Sequence, residues 1–133
     1  MKQRNIHGDY TIDMIDGLIR VKFIGQSNKE MFIELDEHIK RMVIERSPKP
    51  WGVICDIREW GLNTPECWNE VGMNTADWLI EHNQQFEALV CASQLQKHLA
   101  NQRISYTPQI PVKVFSMYNE AMDWCDKFIK TWR

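Results

Sequence analysis

Polar and aromatic side chains follow an apolar run at the centre of the chain, and they are the first residues whose types could do chemistry. Asp56, Arg58, Glu59 and Trp60 come after the continuous apolar residues 53–55, which predict a strand buried on both faces. The carboxyl ends of such strands are where an open α/β sheet usually binds its ligands. These side chains could therefore receive an anion or a protein partner, with Trp60 as a flat anchor. The alternative is that Asp56 and Arg58 form a local ion pair while Trp60 closes the core.

A nucleophilic serine is the second chemistry that this edge could support. Ser93 and Ser116 follow the two later predicted strands, so both could converge with Asp56 and Arg58. A nucleophilic serine needs a base within hydrogen-bond reach. The four histidines lie in the N-terminal tail, inside predicted helices or near a helix end, and none follows a strand. We therefore interpret Ser93 as a helix cap, expect no catalytic residues, and predict that the chain is not an enzyme.

The composition is that of an ordinary globular domain. The chain has 133 residues, of which 44% are hydrophobic and 26% charged, so we expect one domain over residues 1–133. The net charge is −2 and no basic run exceeds a pair, which argues against nucleic-acid binding. No apolar stretch is long enough for a signal peptide or a membrane span, so we expect a cytoplasmic protein.

The four cysteines, Cys55, Cys67, Cys91 and Cys125, are widely spaced. They form no CxxC pair, and no histidine stands at metal-ligand spacing from any of them. Free cysteine is among the residues most often buried. We therefore expect reduced, mostly buried thiols, with no disulfide, metal or cofactor.

The N-terminal third predicts a hairpin followed by a helix. Apolar and polar residues alternate over residues 10–24 around the turn dipeptide Asp16-Gly17, which is typical of two antiparallel strands. Ser27 and Glu30 have the spacing of a capping box at the start of a helix. Ser47-Pro48 ends that helix, because the residue before proline is disfavoured in helical geometry.

The remainder alternates strands with helices. Helix starts are predicted at Asn63-Thr64-Pro65, at Ser93 with Gln96, and at Ser116 or Asn119. The resulting order, β-β-α-β-α-β-α-β-α, predicts an α/β fold. Strands joined through helices pair in parallel by right-handed crossovers. We therefore expect a mixed five-stranded sheet that begins with an antiparallel hairpin and has helices packed on it.

This order and three motifs resemble a known family. The motifs are GDYTIDMIDGLIRVKFIG in the hairpin, CDIREW before the Thr64-Pro65 helix start, and YNEAMDWC at the start of the last helix. Together they resemble the SpoIIAA-like branch of the STAS superfamily, the sulfate transporter and anti-sigma factor antagonist domain, whose fold is also compared with CRAL-TRIO lipid-binding domains. The resemblance implies a non-enzymatic domain that binds a protein partner or a small apolar ligand.

The phosphorylation site of the phospho-switched STAS members is not matched here. In those members the helix after the central strand begins with a serine in an Asp-Ser motif, whereas this chain has Asn63 and Thr64. Thr64 could be phosphorylated, but we favour a capping role for it. The resemblance thus implies partner binding through the loop after the central strand and the following helix. The expected binding residues are Asp56, Arg58, Trp60, Thr64 and Ser93.

The abundant Trp and Met residues leave two further alternatives open. They could line a pocket between the helix of residues 68–79 and the sheet, which would make the chain a carrier of a lipid or another small apolar ligand. Packed cores normally use the same residue types at the same helical spacing. Met73, Trp78 or Trp132 could also anchor a homodimer.

Overall fold

The computed structural model describes residues 9–61, 77–104 and 109–133, and in them it shows one five-stranded sheet with helices on both faces. The strands are β1 (Asp9–Ile15), β2 (Leu18–Gly25), β3 (Trp51–Trp60), β4 (Gln84–Val90) and β5 (Val112–Phe115). The helices are α1 (Lys29–Arg46), α2 (Gln94–Ile104) and α3 (Tyr118–Ile129), followed by a 3₁₀ turn, Lys130–Trp132. Residues 77–81 are also helical, while the helix start predicted at residues 63–65 lies outside the described residues. The predicted mixed α/β sheet is confirmed.

The strands lie in the sheet in the order in which they follow one another in the chain. β1 and β2 pair antiparallel through the predicted turn, where Asp16 and Gly17 have φ of 54° and 86°. Two positive φ angles in a two-residue turn match the right-handed twist of the strands that it joins. Every later neighbour pair is parallel.

This sequential order distributes the helices unequally between the two faces of the sheet. Right-handed crossovers that always advance in one direction place their helices on the same face. Accordingly α1, residues 77–81 and α2 share one core with β2, β3 and β4. α3 comes after the last strand and packs on the opposite face, against β3, β4 and β5. We call the part of that face formed by β1, β2 and the end of β3 the open face, because its polar side chains contact solvent.

Aromatic residues dominate the packing on both faces. On the face of α1, the rings of Phe23, Phe32 and Trp60 meet edge to face with centroids 5.5–6.4 Å apart. On the face of α3, Phe86 stacks on Phe128 at 4.6 Å and on Trp132 at 6.0 Å. Trp132 is thus half-buried against the core.

The described residues include three of the predicted helix caps, and in two of them the observed capping residue differs from the predicted one. α1 begins one residue later than the capping box implies, because the side chain of Asn28, and not of Ser27, accepts a hydrogen bond from the Met31 N–H. α3 has Met117 at its N-cap without a side-chain hydrogen bond, so neither Ser116 nor Asn119 caps it. The cap of α2 is confirmed: the hydroxyl of Ser93 accepts the Gln96 N–H at 3.1 Å.

Candidate functional site

Asp56 and Arg58 form a bidentate ion pair within β3. β3 extends to Trp60, so these residues lie inside the strand rather than after it. Arg58 donates from Nε to Oδ1 of Asp56 at 2.9 Å and from Nη2 to Oδ2 at 2.8 Å. Its backbone N–H also donates to Oδ1 at 3.1 Å. Residues two apart in a strand share a face, which is why the pair forms locally.

This pair keeps a buried carboxylate charged. Asp56 is only 4% exposed, and burial alone would raise its pKa. The hydrogen bonds from the side chain and the backbone of Arg58 outweigh burial and hold the pKa of Asp56 below its usual value. The same bond raises the pKa of Arg58, whose side chain is itself exposed to solvent. Asp56 therefore fixes the position of a solvent-facing guanidinium.

A second ion pair of the same geometry spans the hairpin. Asp13 and Arg20 are direct partners in the β1–β2 register. Arg20 donates from Nε to Oδ1 of Asp13 at 2.7 Å, and from Nη2 to Oδ2. The hydrogen bond from Arg20 lowers the pKa of Asp13. Beside them Lys22 pairs with Glu59, and this contact raises the pKa of Lys22.

Tyr118 contacts Arg58 and lines the same groove as Arg20. As the first residue of α3 it borders the open face, and its ring centroid lies 5.7 Å from Cζ of Arg58. Burial raises the pKa of Tyr118, so its hydroxyl stays protonated at neutral pH and can donate a hydrogen bond. The adjoining space is a groove of about 350 Å³. Its charged and aromatic lining consists of Asp13, Arg20, Lys22, Asp56, Arg58 and Tyr118.

The other residues expected at the site lie elsewhere. Trp60 is 3% exposed and packs into the core of the α1 face, where its carbonyl accepts a hydrogen bond from Gln96. Ser93 is exposed and begins α2, which packs on the face opposite the groove. Thr64 lies outside the described residues. The structure thus brings Asp56 and Arg58 together without Trp60 or Ser93.

Sequence reasoning missed Asp13, Arg20, Lys22 and Tyr118. A signal for the first three was present, because polar residues occupy alternate positions of both hairpin strands. Folding the hairpin about Asp16-Gly17 places Asp13 opposite Arg20, as the structure shows. Tyr118 gave no comparable signal, since only the packing of α3 brings it to the groove.

The described residues form no hydrolytic or metal-binding arrangement. Both oxygens of Asp56 accept from Arg58, and neither Ser93 nor Ser116 hydrogen-bonds to Asp56 within the described ranges. No group of three His, Cys, Asp or Glu side chains in these ranges could hold a metal ion. No described helix is both long and apolar enough to cross a bilayer.

The described cysteines are structural. As expected, Cys55, Cys91 and Cys125 are buried, while Cys67 lies outside the described residues. Burial raises the pKa of Cys91 to about 11 and the pKa of Cys125 to about 12. A thiol reacts as its thiolate, so these groups are unreactive near neutral pH.

Comparison with known proteins agrees with the observed fold. A sequence model of the SpoIIAA-like family matches residues 18–126, which is most of the chain. Among solved structures, the chain is similar to an uncharacterized protein of the DUF3478 family from Shewanella loihica PV-4, described as having a SpoIIAA-like fold. The two share a TM-score of 0.64 and 17% identity, over 93% of this chain and 98% of the other. No curated protein gives a significant match. The chain belongs to the SpoIIAA-like family.

Proposed function

We propose that the chain is a non-enzymatic binding and regulatory module that engages a protein partner. The observation that carries the proposal is the guanidinium of Arg58, which a buried carboxylate holds against the ring of Tyr118 at the border of an open groove. Arg and Tyr are enriched among the residues that dominate protein interfaces. A guanidinium that is already held in place loses less conformational entropy when a partner binds.

The proposed surface combines the groove with the segment after β3. Arg58 and Glu59 lie near the end of β3, and the segment that the family resemblance implicates follows Gly61 in the chain. We include Thr64 in this surface, assign Trp60 the role of positioning the end of β3, and leave out Ser93, which caps α2 on the opposite face. A regulatory module of this kind would work in the cytoplasm, alone or as a homodimer.

Site-specific photocrosslinking tests this proposal in cells that naturally express the chain. A benzophenone amino acid replaces Thr11, which is exposed and lines the groove, or replaces Ile44, which is 59% exposed on α1. We expect a discrete protein adduct from position 11 that disappears when Arg58→Ala is added, and no such adduct from position 44. Equal adducts from both positions, or none from position 11, would contradict partner binding through the groove.

The alternative function is a carrier of a small apolar ligand or lipid. It requires an apolar cavity between residues 68–79 and the sheet, and most of that range lies outside the described residues. Two further pockets, beside Glu34 and Glu37 and beside Glu45 and Arg46, have charged linings that suit a protein surface better than an acyl chain. Native mass spectrometry of the purified protein would reveal a co-purifying ligand, and finding one would favour the carrier.

A further inference from the structure

The groove has unused hydrogen-bond donors, whereas each carboxylate oxygen of its two aspartates already accepts a hydrogen bond from an arginine. Both oxygens of Asp13 accept from Arg20, and both oxygens of Asp56 accept from Arg58. Nη1 of each arginine and the hydroxyl of Tyr118 hydrogen-bond to no other residue within ranges 9–61, 77–104 and 109–133. Arginine donates but never accepts, so the free capacity of its Nη1 can be satisfied only by an acceptor.

The charge of the groove selects among acceptors. Its lining carries three cations, Arg20, Lys22 and Arg58, and two carboxylates, Asp13 and Asp56. Lys22 is already paired with Glu59, so the surface is close to neutral and accepts one added negative charge more readily than two. A phosphate, which itself carries close to two negative charges, suits this lining less well. It would bring more like charge close to the two aspartates.

We infer that the groove binds a carboxylate side chain from an acidic segment of the protein partner, received by Arg20, Arg58 and the hydroxyl of Tyr118. Charge-assisted hydrogen bonds from guanidinium to carboxylate are the strong polar contacts of interfaces. The two aspartates position the arginines and do not themselves contact the ligand. Because the occupant is the proposed partner, this inference rests on the proposed function.

Titration of the isotope-labelled full chain with short peptides tests the inference by nuclear magnetic resonance. The probes are Ac-Gly-Glu-Gly-Glu-Gly-NH₂, its Gln-for-Glu counterpart, and inorganic phosphate. We expect the Glu peptide to shift backbone amides at residues 11–13, 20–22, 56–59 and 118. The Gln peptide has the same shape without the charge, and we expect it to leave these amides unchanged.

Conservative variants identify the donors. Tyr118→Phe removes only the hydroxyl, and Arg58→Lys keeps the charge near Asp56 while removing the free guanidinium nitrogen. We expect each variant to bind the Glu peptide about tenfold more weakly, the effect typical of one charge-assisted hydrogen bond. Lys113→Gln removes an exposed cation from β5, outside the groove, and we expect it to bind like the wild type. Spectra of the free variants verify that each one folds.

The outcomes separate this inference from the proposed function. Equal shifts by the Glu and Gln peptides, or unchanged binding by Tyr118→Phe and Arg58→Lys, would overturn carboxylate recognition. If phosphate shifts the same amides at a lower concentration than the Glu peptide does, the choice of a carboxylate as the ligand would be overturned. If a crosslinked adduct at position 11 still depends on Arg58 in either case, the partner-binding function stands while this ligand chemistry fails.

Discussion

The indole N–H of Trp60 donates a 2.8 Å hydrogen bond to the hydroxyl of Ser27, a residue 33 positions earlier in the chain, and both side chains are buried. Ser27 lies between β2 and α1, and Trp60 is the last residue of β3. The carbonyl of Trp60 also accepts a hydrogen bond from Gln96 of α2 at 3.2 Å. Trp60 therefore joins three parts of the fold at the point where β3 ends beside the proposed binding surface.

Removing the Ser27 hydroxyl should destabilise the protein. Ser27→Ala leaves the buried N–H of Trp60 without its acceptor, so we expect the free energy of unfolding to fall by about 1–3 kcal/mol. Urea denaturation followed by tryptophan fluorescence measures this change. Trp60→Phe and the double variant complete a thermodynamic cycle. Strictly additive effects of the two substitutions would show that the bond contributes nothing to stability.

The buried ion pair predicts a loss of stability in acid. The pKa of Asp56 is lower in the folded protein than the value of about 3.9 in an unfolded chain, so the unfolded state takes up the proton first as the pH falls. The contribution of Asp56 is complete above the unfolded pKa and disappears as the pH falls through the folded pKa. We expect Asp56→Asn to lower the free energy of unfolding at neutral pH by about 1.5–3 kcal/mol and to flatten its acid dependence.

Asp13→Asn is the matched control for this effect. Asp13 makes the same bidentate contact, but its side chain is half-exposed, so water screens the interaction. We expect a change of less than about 1 kcal/mol from it. Thermal unfolding across a pH series measures the stability of both variants. If Asp13→Asn flattens the acid dependence more than Asp56→Asn does, Asp56 is not the main source of that dependence.

Gly52 has no room for a side chain. A Cβ added at this position would lie 2.3 Å from two ring carbons of Phe86, which the core of the α3 face holds in place. We expect Gly52→Ala to destabilise the protein by about 1–3 kcal/mol, since an overpacked core must shift. Chemical denaturation measures the loss. Adding Phe86→Leu frees space at the ring and should make the cost of Gly52→Ala smaller than in the wild type.

The buried thiols should resist alkylation. With the pKa of Cys91 raised to about 11 and the pKa of Cys125 raised to about 12, few thiolates are present at mildly basic pH. We expect iodoacetamide to leave both residues unmodified in the folded protein and to modify both in urea. Peptide mass spectrometry reports each site separately. Modification of Cys125 at the same rate with and without urea would rule out the protection.

The sequence predicted the order and pairing of the elements because the relevant signals are local. The Asp16-Gly17 turn, the alternation on either side of it and the apolar run at residues 53–55 each depend on near neighbours. The ion pair between Asp56 and Arg58 could be predicted as one of two alternatives for the same reason, since its partners lie two positions apart in one strand.

The rest of the site depends on tertiary packing. Ser27 and Asn28 are both good helix caps, and the hydrogen bond from Trp60 occupies Ser27 while Asn28 caps α1. Tyr118 reaches Arg58 only because α3 returns across the face that the crossover helices leave open. Neither contact could be read from the spacing of residues along the chain.

One extra residue in β3 forms a bulge at which two consecutive residues, Arg58 and Glu59, are exposed to solvent. Between Lys22 and Ile24 of β2 there is one residue, while two residues of β3, Ile57 and Arg58, lie opposite it. This bulge lets Ile57 and Trp60 face the same core although three positions separate them. Deleting Arg58 would restore regular pairing, with Ile57 alone opposite Phe23, and would leave Trp60 in the core and Glu59 beside Lys22 on the solvent side. The bulge therefore adds one solvent-facing guanidinium to the strand end without changing which side chains enter the core.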